Sequence, residues 1–138
     1  MSIKLNCILL IDDDESVNFI NQMVIEKLGC AEKVITCLNG MSAIEYLKSY
    51  EDGKHPQPDL MFLDINMPAM DGWEFLDAYQ QLDKHQQSGV VIVMLTTSLD
   101  PEDKERAGRI PVINDFENKP LTIEKLQEIL NRFFMKNT

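Results

Sequence analysis

Five short apolar runs, residues 8–11, 34–37, 60–63, 90–95 and 112–116, recur along the chain, and apolar residues return every third or fourth position between them. That alternation constrains the fold more than any other feature. Runs this short suit strands, and the intervening period suits amphipathic helices. Strands that alternate with helices are joined by crossovers, which makes the sheet parallel. The third and fourth runs are apolar throughout, as expected of central strands covered on both faces. The pattern therefore predicts an α/β fold, a doubly wound five-stranded parallel sheet with five helices.

The helical stripes are Val17, Ile20, Val24 and Leu28, then Phe75, Leu76, Tyr79 and Leu82, then Ile123, Leu126, Ile129, Leu130 and Phe133. Their starts carry chemical signals. Asp14 is placed to cap the first, Asp71 followed by Glu74 forms a capping-box pattern, and Asp100 before Pro101 gives an N-cap with proline at the first helical position. A helix starting near Thr122 and a shorter one within residues 40–50 complete the set. Residues 51–58, with Gly53, Pro56 and Pro58, read as a surface loop, and residues 85–89 as another. With no repeat, low-complexity tract or linker, residues 1–138 are expected to form a single domain with its core at about 7–134.

Charge narrows the partners. A formal net charge of −10 repels phosphate backbones and anionic lipid, so neither nucleic acid nor a membrane surface is expected to bind. Cys7, Cys30 and Cys37 match no metal-ligand spacing and read as reduced core thiols. Residues 1–6 carry no long apolar stretch, no segment reaches the length of a membrane span, and a cytoplasmic location is expected.

In open parallel sheets, ligands bind beyond the carboxyl ends of the strands, and here those ends are loaded. Asp12, Asp13 and Asp14 follow the first run, Asp64 closes the third, Thr96 and Thr97 close the fourth, and Lys119 with Pro120 follows the fifth. Each has an ordinary explanation alone: a helix cap, a turn carboxylate, a β-branched strand residue, a surface lysine. Their joint placement carries the argument. Two carboxylates about 4 Å apart repel by roughly 4 kcal/mol at an effective dielectric of 20, so a converging set demands a cation. Oxygen donors without imidazole or thiolate favour Mg²⁺ over zinc. Such a pocket equips a carboxylate to attack phosphorus. Asp64, at the end of a central strand, is the expected phosphoacceptor, Asp12 and Asp13 the metal pair, Lys119 a second cation, and Thr96 a hydrogen-bond donor to a phosphoryl oxygen.

These motifs, Ile8-Leu9-Leu10-Ile11-Asp12-Asp13-Asp14, Leu63-Asp64-Ile65-Asn66-Met67-Pro68-Ala69-Met70-Asp71-Gly72, Met94-Leu95-Thr96-Thr97 and Lys119-Pro120, resemble in kind and order those of response-regulator receiver domains, the phosphoacceptor modules of two-component signalling. The resemblance runs from about Cys7 to Phe134 and implies strand order 2-1-3-4-5. It also implies that the Asn66 backbone carbonyl joins Asp12, Asp13 and Asp64 at the metal, and that Thr96 and Phe116 form the switch. A stand-alone receiver of this kind is not an enzyme in its own right. It would take its phosphoryl group from a sensor histidine kinase or a phosphotransfer protein, and act on a downstream protein as a monomer or a phosphorylation-dependent dimer. Two alternatives remain at this stage: a phosphatase with an aspartate nucleophile, for which Asn66 replaces the expected second aspartate, and an interaction module that is never phosphorylated.

Overall fold

The computed structural model describes residues 3–50 and 52–135. Along the chain run β1 (Leu5–Ile11), α1 (Glu15–Leu28), β2 (Ala31–Cys37), α2 (Gly40–Lys48), β3 (Leu60–Leu63), α3 (Gly72–Tyr79), α4 (Lys84–Gln87), β4 (Val91–Thr96), α5 (Pro101–Gly108), β5 (Asp115–Asn118) and α6 (Ile123–Phe134). The five strands pair in parallel in the order β2-β1-β3-β4-β5.

Alternation along the central strands divides the core in two. Leu9, Ile11, Met61, Leu63, Ile92 and Met94 point to the side that also holds Leu47 of α2, Phe75 and Leu76 of α3, and Ala107 of α5. Ile8, Leu10, Leu60, Phe62, Val93 and Leu95 pack on the other side with Ile25 of α1 and Leu126, Ile129 and Leu130 of α6. Burying each large aliphatic side chain contributes roughly 1.5–3 kcal/mol, which is why the central stretch of each inner strand is apolar. Register aligns the strand ends: Ile11 lies opposite both Cys37 and Leu63, and Leu63 lies opposite Met94.

The caps form as the sequence indicates. Asp14 accepts from the Ser16 and Val17 amides, Asp71 and Glu74 form a full capping box, Asp100 accepts from the Glu102 amide, and Thr122 accepts from the Lys125 amide. At the other end of α1, Gly29 takes φ +67°, a left-handed conformation in which a side chain is disfavoured, and its N–H donates to the Ile25 carbonyl at 3.0 Å.

Four expectations need correction. There are six helices among the described residues rather than five. The sixth lies in the segment read as a loop at 85–89: Asp83 caps a single turn at Lys84–Gln87, and the Gln86 side chain is buried, its amide donating to the carbonyls of Leu47 and Pro56. No apolar stripe advertises a turn held by amide side chains. The fifth strand lies at Asp115–Asn118, later than the apolar run at 112–116, because Val112 and Ile113 belong to a turn closed by the Ile113 N–H on the Ile110 carbonyl. Asn114 then pairs with Ile92 through both its backbone N–H and its side-chain oxygen. The stripe assigned to α1 holds in part: Val24 and Leu28 pack against the core, but Ile20 is 52% exposed beside exposed Phe19 and Met23, and the fully buried positions are Asn18, Asn21 and Ile25. Cys7, Cys30 and Cys37 are buried and form no disulfide, and no described helix is long and apolar enough to cross a membrane.

Candidate functional site

The sheet's hydrogen-bond ladder continues one step past the strand ends and thereby locks the polar residues there. The Asp12 amide donates to the Cys37 carbonyl at 3.1 Å, the Asp64 amide to the Ile11 carbonyl at 3.0 Å, and the Lys119 amide to the Thr96 carbonyl at 2.8 Å. Parallel pairing thus brings residues distant in sequence onto one rim.

Carboxylate oxygens of Asp12, Asp13 and Asp64 lie within 4.8 Å of one another, Asp12 and Asp64 buried and Asp13 exposed. Lys119 Nζ reaches into the cluster, 2.5 Å from Asp12 Oδ2 and 3.4 Å from Asp64 Oδ1. Asp12 Oδ1 accepts from the Asp14 amide at 2.9 Å, and Asp64 Oδ1 accepts from the Ile65 amide at 2.9 Å. Burial pushes the Asp64 carboxyl above the ordinary aspartate range, and the charge of Asp12 adds to this, while Lys119 pulls it back. For Lys119, burial acts to lower the ammonium pKa, but the Asp12 hydrogen bond and the charges of Asp64 and Asp12 together raise it above its ordinary value.

Three carboxylates against one ammonium leave a surplus of two negative charges. The donors are all oxygen, without imidazole or thiolate. A hard divalent cation such as Mg²⁺ fits both the charge and the donor chemistry.

Thr96 is fully buried at the end of β4, and its Oγ1 accepts from the Ser98 amide at 3.1 Å. Ser98 Oγ in turn donates to Asp103 Oδ2 at 2.5 Å, and its carbonyl accepts from Asn118 Nδ2 at 3.0 Å, so the loop after Thr96 is tied to α5 and to β5. Phe116 is half-buried, packed against the core on the α5 side and paired in register with Met94. Asn66 is exposed, two positions beyond Asp64. The bond from Lys119 to Pro120 is cis.

Two contacts were not expected from the sequence, although Gly72 closes the motif at residues 63–72. A Cβ on Gly72 would stand 2.5 Å from the Asp64 carbonyl oxygen, so only glycine lets α3 begin against the end of β3. The Gly72 N–H closes that approach on the Ile65 carbonyl at 2.7 Å. Asn18, buried on α1, donates from Nδ2 to the Asp12 carbonyl at 2.9 Å. The one sequence signal for it is an asparagine one turn into a helix that starts at the acidic cluster.

Known proteins resemble this chain in sequence and fold. The response regulator receiver domain family matches residues 8–131. The probable methanogenesis regulatory protein FilR2 of Methanothrix harundinacea is 30% identical over 87% of this chain and 76% of its own length. The chemotaxis protein CheY of Halobacterium salinarum is 30% identical over 89% of this chain and 95% of its own. A crystal structure of a two component response regulator from Cytophaga hutchinsonii superposes with a TM-score of 0.84 at 33% identity, covering 94% of this chain and 97% of that one. Longer relatives also match, and of one of them the chain spans 50% of the length. Strand order, the acidic rim and these matches lead to one conclusion: the chain belongs to the response-regulator receiver domain family of two-component signalling.

Proposed function

We propose that the chain accepts a phosphoryl group on Asp64, in the presence of Mg²⁺, from a sensor histidine kinase or a phosphotransfer protein. The observation that carries this reading is the approach of Lys119 to both Asp12 and Asp64 within a cluster of three carboxylates.

Mg²⁺ held by Asp12, Asp13, Asp64 and the Asn66 backbone carbonyl would supply Lewis-acid neutralisation of the phosphoryl oxygens. The protein's own groups do the rest. An Asp64 carboxylate oxygen attacks phosphorus, the bond from phosphorus to the donor atom breaks, and its electron pair leaves with the donor. Lys119, already 3.4 Å from Asp64 Oδ1, balances charge on the transferring group. Thr96 Oγ1 accepts from the Ser98 amide, which leaves its own hydroxyl proton free to donate to a phosphoryl oxygen. That shift draws on the loop tied to α5 through Ser98 and Asp103. Phe116, half-buried on the neighbouring strand, exchanges outward for inward packing, and having no hydroxyl it switches by packing alone. The output is a changed protein-binding face on α5, β5 and α6, read by a downstream protein or by a second copy. The domain works as one receiver unit in the cytoplasm, with no turnover of external substrate.

Intact-mass measurement after incubation with a small acyl phosphate tests this. One phosphoryl group is expected on the wild type with Mg²⁺, and none with EDTA or on Asp64→Asn. An unmodified wild type, under conditions where another receiver reacts, overturns the reading, and sustained turnover of phosphate esters replaces it with a phosphatase.

A further inference from the structure

In its first half α1 turns asparagines inward where an ordinary amphipathic helix would be aliphatic, while Val24, Ile25 and Leu28 pack against the core farther on. Its buried residues are Asn18, Asn21 and Ile25, with Asn18 only 3% exposed and Asn21 4%. Burying an amide costs stability unless its hydrogen bonds are met. One half of Asn18 is met by the Asp12 carbonyl, but Asn18 Oδ1 has no hydrogen-bond partner. Asn18 also lines a small cavity beneath the acidic rim, shared with Asn21, Asp12, Asp64 and Phe62. Its water-accessible volume is about 10 Å³, space for one water and no larger ligand.

We propose that this cavity binds a single structural water, which donates a hydrogen bond to Asn18 Oδ1, and that Asn18 with its water is a positioning element for Asp12. Asp12 is then held from every side. Its amide is fixed by Cys37, its carbonyl by Asn18, its Oδ1 by the Asp14 amide and its Oδ2 by Lys119. Asp64 lines the same cavity, which is otherwise walled by the close-packed apolar residues Leu10, Ile11, Phe62, Leu63 and Leu95, so Asp12 and Asp64 rest on one rigid, hydrated support. Rigid support of this kind fixes the orientation of groups that must meet a metal or a phosphoryl group within a few tenths of an ångström. An alanine or leucine at position 18 would remove both the hold on the Asp12 carbonyl and the site for the water.

The positioning role rests on the phosphoacceptor reading, whereas the water does not, so two measurements separate them. A high-resolution crystal structure of the wild-type chain should show one ordered water within hydrogen-bond distance of Asn18 Oδ1. A dry cavity, in a map that resolves other buried waters, overturns the proposal without touching the functional reading. The second measurement compares Asn18→Leu with wild type in the rate of phosphoryl acceptance from a small acyl phosphate, titrated with Mg²⁺. We expect the rate constant at saturating Mg²⁺ to fall about tenfold and the Mg²⁺ midpoint to rise severalfold. A merely structural role would lower only the fraction of protein that reacts, leaving rate constant and midpoint within twofold of wild type, and that result overturns the positioning role. Should the leucine variant not fold, Asn18→Ser serves in the same assay, with intermediate values expected and wild-type values overturning the proposal.

Discussion

Replacing Lys119 by methionine removes the cation from a cluster of three carboxylates while keeping the length of the side chain. The geometry sets the scale. At an effective dielectric of 20, an ammonium 2.5 Å from one carboxylate and 3.4 Å from another gains about 7 and about 5 kcal/mol respectively. Most of that offsets the desolvation of the same groups, whose side chains are only 14% exposed for Lys119, 6% for Asp12 and 7% for Asp64. What a mutation exposes is the uncompensated remainder, about 3–5 kcal/mol when one partner of a buried pair is removed. For a domain of this size that is a fall in melting temperature of about 12–20 °C. Circular dichroism melts in EDTA and in Mg²⁺ read it out. In EDTA, Lys119→Met should melt that much lower than wild type, and because its cluster carries one more unbalanced charge, Mg²⁺ should stabilise it more than wild type. A variant that melts within about 2 °C of wild type in EDTA, or gains no more than wild type from Mg²⁺, refutes the claim that these charges share one strongly coupled pocket.

Three further outcomes follow from single contacts. Gly72→Ala forces a Cβ to within 2.5 Å of the Asp64 carbonyl, so denaturant unfolding should show a loss of about 1–3 kcal/mol. Without metal, Asp64 should titrate above the ordinary 3.8, as followed by carboxyl carbon NMR, because burial first and the Asp12 charge second disfavour its ionised form. A folded-state pKa raised above the unfolded one means that stability from this group is full at low pH and is lost as pH rises through the folded value. Asp64→Asn should flatten that part of the metal-free stability profile and be the more stable protein above it. Tyr79 is buried in the core with its hydroxyl unpartnered and its pKa pushed up to about 12, so Tyr79→Phe should be neutral or stabilising by up to about 1 kcal/mol in the same denaturant assay.

The parts of this molecule that announce themselves in sequence are those governed by local rules. Strand cores such as Leu60–Leu63 are legible because burial on both faces excludes every polar residue, and Asp14, Asp71 and Asp100 are legible as caps because a helix start needs an oxygen acceptor at that position. The clustering of the rim's charged groups is legible for a related reason: a parallel sheet gathers its carboxyl ends, so Asp12, Asp64 and Lys119 come together once the strands are assigned. What stayed hidden depends on tertiary context. Ile20 follows the period of a core stripe, yet α1 turns Asn18 and Asn21 inward under the acidic rim and leaves Ile20 exposed. The onset of β5 depends on Asn114 pairing with Ile92 through its side chain, and α4 on glutamine side chains that reach distant carbonyls. Neither leaves a periodic trace. The close approach of Gly72 to Asp64 is likewise a fact of packing: the glycine closes the motif at residues 63–72, but its contact with the Asp64 carbonyl leaves no trace in the sequence.

Hydride trapping of the phosphorylated protein bears most directly on the central claim, since borohydride reduces an acyl phosphate on aspartate to homoserine and marks the residue that carried it. Peptide mapping after reaction with a small acyl phosphate and Mg²⁺ should find homoserine at position 64 and at no other aspartate. Homoserine at position 12 or 13, or none at all from protein that has reacted, would contradict the assignment of Asp64 as the acceptor.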